Sequence, residues 1–197
     1  MTTQHTTHRS IERPLEQAEL PGHMLTSTAA RIMAVLRIST GFVFLWAFLD
    51  KTFGLGYATP TERAWINGGS PTKGFLSSVE VGPLQSFFHA IAGTWWANTL
   101  FMVGLGAIGV ALIAGVGLRV AAGSGTLMMI FMWLAELPLV RFTAAGEPTS
   151  STNPLVDYHI VYAIVMVALA AAYAGHTWGL GRLWAKLPFV QRNRWLI

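Results

Sequence analysis

Glu136, Asp157, Tyr158 and His159 are polar residues set at the edges of long apolar runs, and Asp50, Lys51 and Arg141 stand at the edges of the same runs. Gathered into one half-buried pocket of low dielectric, such groups suit proton-coupled electron transfer. The ring of a quinone needs a hydrogen-bond donor at each carbonyl and a route for protons. His159 can donate or accept near neutral pH, with Asp157 or Glu136 as proton relay. Trp46, Trp133 and Tyr158 would wall an aromatic ring, and Lys51 and Arg141 would equally hold a small anion. Asp157 also suits the plainer role of a helix cap, where an acid complements the dipole. Glu136 is harder to read that way, because residues 134–140 are apolar around it, and an ionisable group at membrane depth is a functional candidate by default.

Arg37 lies inside an apolar run, about one and a half helical turns from its start. An arginine there costs at least ~2.5 kcal/mol on insertion scales unless it snorkels or finds a partner. Both outcomes stay open: reaching back to the interface along its own stem, or a paired or ligand-facing role. Helical geometry puts Arg37 and Lys51 on one face, about 21 Å apart along the axis.

Apolar helices must position these groups. Residues 97–140 hold almost nothing charged. A span needs about 20 apolar residues, so this stretch reads as two spans folded back at 115–119. Spans are expected at about 31–53, 98–118, 120–140 and 155–174, with Pro154 in the first turn of the last and Gly175 at its end. Residues 54–82 form a long connection. Residues 83–96 are too short to span and read as an interfacial or re-entrant helix, with Trp95 and Trp96 at the headgroups. The fold class expected is an all-α membrane protein: a four-transmembrane-helix bundle with an additional interfacial or re-entrant helix between spans 1 and 2. Residues 1–28 read as a polar, disordered cytoplasmic tail without a cleavable secretory signal, 29–185 as the membrane domain and 186–197 as a basic C-terminal tail. From His176 on, Trp178, Arg182, Trp184 and Lys186 read as a basic amphipathic segment on the membrane surface.

Four spans place both termini on one side, with Arg9, Arg13, Arg31, Arg119, Arg182, Lys186, Arg192 and Arg194 there against Lys51, Arg63, Lys73 and Arg141 opposite. That asymmetry places both termini in the cytoplasm. Small residues should bring the helices together, since lipid gives no hydrophobic drive between them. Candidates are Gly41 beside Thr40, then Ala107, Ala111 and Gly115, then Ala168 with Ala172 and Ala170 with Ala174.

Composition agrees with a membrane protein and excludes other classes. Charged residues are 11% of the chain and hydrophobic ones 53%, with a mean hydropathy of +0.49, where a soluble domain carries about 25% charged residues. The net charge of +4 comes from scattered basic residues, which argues against nucleic acid. No cysteine is present, which excludes disulfides, thiolate metal sites, cysteine-ligated iron–sulfur clusters and covalently attached haem. A non-covalent haem between His89 and His159 has no supporting spacing. Met128, Met129 and Met132 form no copper box, and no residue is assigned to a metal. Residues 104–109 match GxGxxG by letter, but that motif needs a preceding strand and a helix N-terminus, so its glycines read as helix-packing contacts.

The sequence resembles the DoxX/DoxD-like membrane proteins. Leu36, Arg37 and Ile38, followed by Gly41, Phe44, Leu45, Asp50 and Lys51, look like that family's first span. Residues 109–119 resemble its second span and the basic turn after it. Residues 153–162, with Asn153, Pro154, Asp157, Tyr158, His159 and Tyr162, resemble the opening of the fourth span in the DoxD-type branch. The likeness covers about residues 31–185. It implies a four-helix protein of the bacterial or archaeal plasma membrane, in which Arg37 and Lys51 hold the family's paired span-1 positions. The name-giving members are subunits of a thiosulfate:quinone oxidoreductase, so a quinone, a thiosulfate-like donor and a partner subunit or second copy are expected. The rival expectations are a non-catalytic anchor for an outer-face redox enzyme, docked through residues 54–96, and a small-solute carrier. The absence of repeats and broken-helix pairs counts against the carrier.

Overall fold

The structure is a computed structural model that describes residues 26–143, 145–149 and 151–197. The tail expected to be disordered lies almost wholly outside the described residues. Among those described, all extended regular elements are helical: α1 (Ser27–Phe53), α2 (Lys73–Ser77), α3 (Gln85–Ile91), α4 (Trp95–Ala114), α5 (Leu118–Glu136), α6 (Tyr158–Ala171), α7 (Gly181–Trp184) and α8 (Pro188–Arg192), with short 3-10 turns between some of them. Three helices, α1, α4 and α5, are long and apolar enough to cross a membrane; α6, at 14 residues, is shorter. Many apolar side chains on the long helices face outward, among them Ile32, Leu100, Val103 and Ile164. That is compatible with a lipid bilayer around the chain and would be costly in water.

Local signals set the helix ends. The Thr26 hydroxyl accepts from the Ala29 amide at 3.2 Å to start α1, and Gly54 closes it in the left-handed region at φ 66°. Gly115 ends α4 in the same way at φ 73°, which confines the fold-back to 115–117. Two boundaries differ from expectation. The third long helix stops at Glu136, because Leu137 turns into the left-handed region at φ 35° and Pro138 follows. The fourth apolar helix begins at Tyr158, because Asp157 is its cap; Pro154 therefore lies before the helix and not in its first turn. The expected single helix over 83–96 is also broken. Gly93 at φ 73° separates α3 from α4, and Trp95 and Trp96 open α4.

α1 packs chiefly on α4 and α5 chiefly on α6, with α4 against α5 joining the two pairs. The α1–α4 approach is closest at glycines. A Cβ on Gly109 would lie 2.6 Å from the Leu45 amide nitrogen, and one on Gly41 would lie 2.8–2.9 Å from Ile113 and Leu112. Gly106 faces Phe48 of α1, and Gly104 faces Met128 of α5. The three glycines of the GxGxxG match are thus packing contacts. Of the small-residue set expected in span 2, Gly115 is buried, with a Cβ there 2.8 Å from Gly175, whereas Ala107 is exposed; Gly109, outside that set, makes the α1 approach. Ala170 and Ala174 are buried as expected, whereas Ala168 is exposed. The core between the helices is filled by Phe44, Met102, Ile108, Leu112, Met129, Met166 and Leu169.

Residues beyond α1 and before α4 build an ordered cap hung on Asn98. Its side-chain oxygen accepts from the Thr72 hydroxyl at 2.7 Å, the Thr72 amide at 3.1 Å and the Ser70 hydroxyl at 3.2 Å. At the other end of the bundle, the basic C-terminal segment folds back. Val190 is fully buried, Trp184 Nε1 donates to the Leu196 carbonyl at 3.0 Å, and Arg119 donates to the Tyr173 hydroxyl at 3.0 Å.

Candidate functional site

The C-terminus of α5 and the N-terminus of α6 meet because these helices run antiparallel and pack along their lengths. Glu136 is the last residue of α5, and Asp157 is the cap of α6. Asp157 Oδ1 accepts from the His159 and Ile160 amides at 3.0 and 3.2 Å, satisfying two of the orphan donors at a helix start. Its other oxygen, Oδ2, lies 2.8 Å from His159 Nδ1. The capping role weighed from sequence is thus present, and the same carboxylate also holds the imidazole.

His159 is completely buried, and its Nε2 has no hydrogen-bond partner among the described residues. Glu136 stands on the wetter side, with its side chain 40% exposed and Oε2 4.0 Å from His159 Nδ1. Its Oε1 accepts from the Tyr158 hydroxyl at 2.9 Å. The Tyr158 ring lies 4.0 Å from the His159 ring, centre to centre, and packs edge-on against Tyr162. Trp133 frames the same region, one turn before Glu136, by donating Nε1 to the Leu155 carbonyl at 3.2 Å. Donor atoms of Glu136, Asp157 and His159 all lie within 4.8 Å of one another.

The wider convergence expected at this rim is not what the structure has. Asp50 is buried and spent on the loop after α1, accepting from the Tyr57 and Ala58 amides at 3.3 and 3.1 Å. Lys51 and Arg141 form no ion pair among the described residues; the Arg141 guanidinium sits over the Phe142 ring at 5.6 Å. Trp46 packs against Phe42 in a tilted pair and meets Tyr57 edge-on, so its ring partners are on α1 and the following loop. His89 is exposed, with its Nε2 2.9 Å from the Val79 carbonyl.

Arg37 answers the open question of span 1. It does not snorkel to the interface: it is fully buried and paired with backbone. Nε donates to the Ala174 carbonyl, NH1 to Leu112 and Ile113, and NH2 to Thr177 and Trp178. All five guanidinium donors thus meet carbonyls. The Leu112 and Ile113 carbonyls belong to the C-terminal end of α4, where the helix dipole is negative. The glycines around it make room, since a Cβ on Gly115 or Gly179 would fall 3.0 Å from the guanidinium. Arg37 therefore staples α1 to the ends of α4 and α6, about 20 Å along α6 from His159. Sequence reasoning missed both this carbonyl nest and the Asn98 hub. The nest leaves no side-chain signature because its acceptors are all backbone carbonyls, and the Asn98 hub leaves none because Ser70 and Thr72 lie 26–28 residues away with no fixed spacing to it.

Comparison with family models, with curated proteins and with solved structures found no match.

Proposed function

We propose that this chain is a DoxX-like membrane subunit of a quinone-linked oxidoreductase, with His159 as the proton-handling group beside the quinone. In this proposal α6 is the fourth span, completed by the turns on either side of it, and both termini lie in the cytoplasm at the plasma membrane. The observation that carries the proposal is the state of His159: a buried imidazole, fixed through Nδ1 by Asp157, with Nε2 left without a protein partner. A buried polar atom without a partner costs about 1–3 kcal/mol, so its retention in an apolar bundle needs a reason. A hydrogen-bonding oxygen on a bound ring supplies one.

A quinone bound there would supply a two-electron, two-proton acceptor for a small reductant such as thiosulfate, two thiosulfates giving one electron each and coupling through sulfur to tetrathionate. The residues divide the proton work by position. Asp157 fixes the ring orientation and favours the proton on Nδ1, which leaves Nε2 as the interior-facing acceptor or, in the imidazolium, the donor. Glu136, exposed and 4.0 Å from Nδ1, is the link to solvent. Tyr158 holds Glu136 in place through its hydroxyl. Arg37, Asp50, Lys51, Arg141 and Trp46 have no part in this smaller site.

The test is quinone reduction by purified protein in detergent, followed by quinone absorbance with thiosulfate as donor. Wild type should turn over, and His159→Gln should lose most of that rate while still folding. Should His159→Ala and Glu136→Gln leave turnover intact but weaken co-purification of a partner protein, the chain is an anchor and the redox assignment fails.

A further inference from the structure

We infer that Glu136, Asp157 and His159 form a site for a divalent transition-metal cation of the zinc class. The inference goes beyond the quinone proposal and does not rest on it, because binding is read on resting protein. The first ground is the donor set. Two carboxylates and one imidazole, from the end of one helix and the start of the next, bring their donor atoms within 4.8 Å of one another. In a tetrahedral zinc site with ligands at ~2.0–2.2 Å, adjacent donor atoms stand about 3.4 Å apart. The widest pair must therefore close by somewhat over an ångström, and Glu136, at a helix end and half out in solvent, can supply that movement by a side-chain rotation. Asp157 Oδ2 and His159 Nδ1 are joined by a hydrogen bond of 2.8 Å; a cation entering between them displaces that proton and takes both atoms as ligands, so the metal-bound state and the Nδ1-protonated state of the quinone site are alternatives.

The second ground is electrostatic and independent of the spacing. Glu136 is the last residue of α5, so its carboxylate sits at the negative end of that helix dipole, where a cation belongs and an anion is disfavoured. No lysine or arginine lies within ion-pair distance of it or of Asp157 among the described residues, so the two carboxylates face no cationic lysine or arginine there. A dication makes the site neutral. The remaining ligand environment fits as well: the Tyr158 hydroxyl on Glu136 Oε1 is the kind of outer hydrogen bond that orients a ligating carboxylate. Three protein ligands leave a position open to water or substrate. Imidazole with carboxylates selects the transition metals over purely oxygen-loving cations.

The experiment uses the full-length chain in detergent, stripped with a chelator and titrated with Zn²⁺ by calorimetry, and with Co²⁺ for its visible absorption bands. One cation should bind per chain, with the band intensities of a low-coordinate Co²⁺ site. Glu136→Gln, at a solvent-facing position, should weaken binding by at least about tenfold, and Tyr158→Phe by roughly tenfold as an outer-sphere loss. A variant with His5, His8 and His23 changed to Gln should bind like wild type. The inference is overturned if wild type shows no saturable binding of one ion, if Glu136→Gln and Tyr158→Phe bind as tightly as wild type, or if removing the three tail histidines abolishes binding.

Discussion

Arg37→Lys is the perturbation that tests the architecture most directly, because it keeps the charge and changes only the number of donors. The guanidinium has five N–H donors and an ammonium has three, so lysine leaves at least two of the five carbonyls that Arg37 holds without a side-chain donor. The Leu112 carbonyl also accepts from the Gly115 amide at 3.2 Å; the Ile113, Ala174, Thr177 and Trp178 carbonyls take no other donor among the described residues. An ammonium can serve at most three of those four, and a stranded buried acceptor costs about 1–3 kcal/mol, so the substitution should cost at least about 1 kcal/mol. Against a total of about 5–15 kcal/mol, that is a substantial share. At about 2–4 °C per kcal/mol for a chain of this size, the unfolding midpoint should fall by at least about 2 °C. Eight tryptophans make intrinsic fluorescence in detergent a sufficient readout. An unchanged midpoint would mean that the guanidinium is not seated on the carbonyls. A stable Arg37→Lys protein that has lost a bound anion would instead place Arg37 in a ligand site and refute the staple.

Asp157→Asn separates the two duties of that residue: asparagine caps a helix about as well as aspartate, so thermal stability should hold while quinone turnover falls several-fold, whereas Asp157→Ala should also lose about 0.5–2 kcal/mol of stability in a denaturant titration. Gly109→Ala should lower stability by about 1–3 kcal/mol through overpacking, since its Cβ would lie 2.6 Å from the Leu45 backbone nitrogen; a neutral result in thermal unfolding would contradict the close α1–α4 approach. Asn98→Ala removes the hub of the cap and should make residues 54–94 markedly more sensitive to limited proteolysis while the helices themselves stay protected.

Much of the fold follows from short-range chemistry, and the sequence by itself determined it. Apolar length sets α1, α4 and α5, glycine sets the turn at 115–117, and the dipole preference of an acid puts Asp157 at a helix start. Those signals are local, so they survive being read along one dimension. The same reasoning found Glu136, Tyr158 and His159, because topology alone puts the end of one helix beside the start of the next. It overreached in gathering Asp50, Lys51, Arg141 and Trp46 into that cluster: helix order fixes which end of the bundle a residue occupies, not which neighbour it faces. Only the tertiary structure decided that Asp50 turns to its own loop, that Arg37 meets five carbonyls from three separate segments, and that His159 keeps one nitrogen on Asp157 and the other bare. Those outcomes depend on backbone groups and on side-chain direction, and neither leaves a trace in residue spacing.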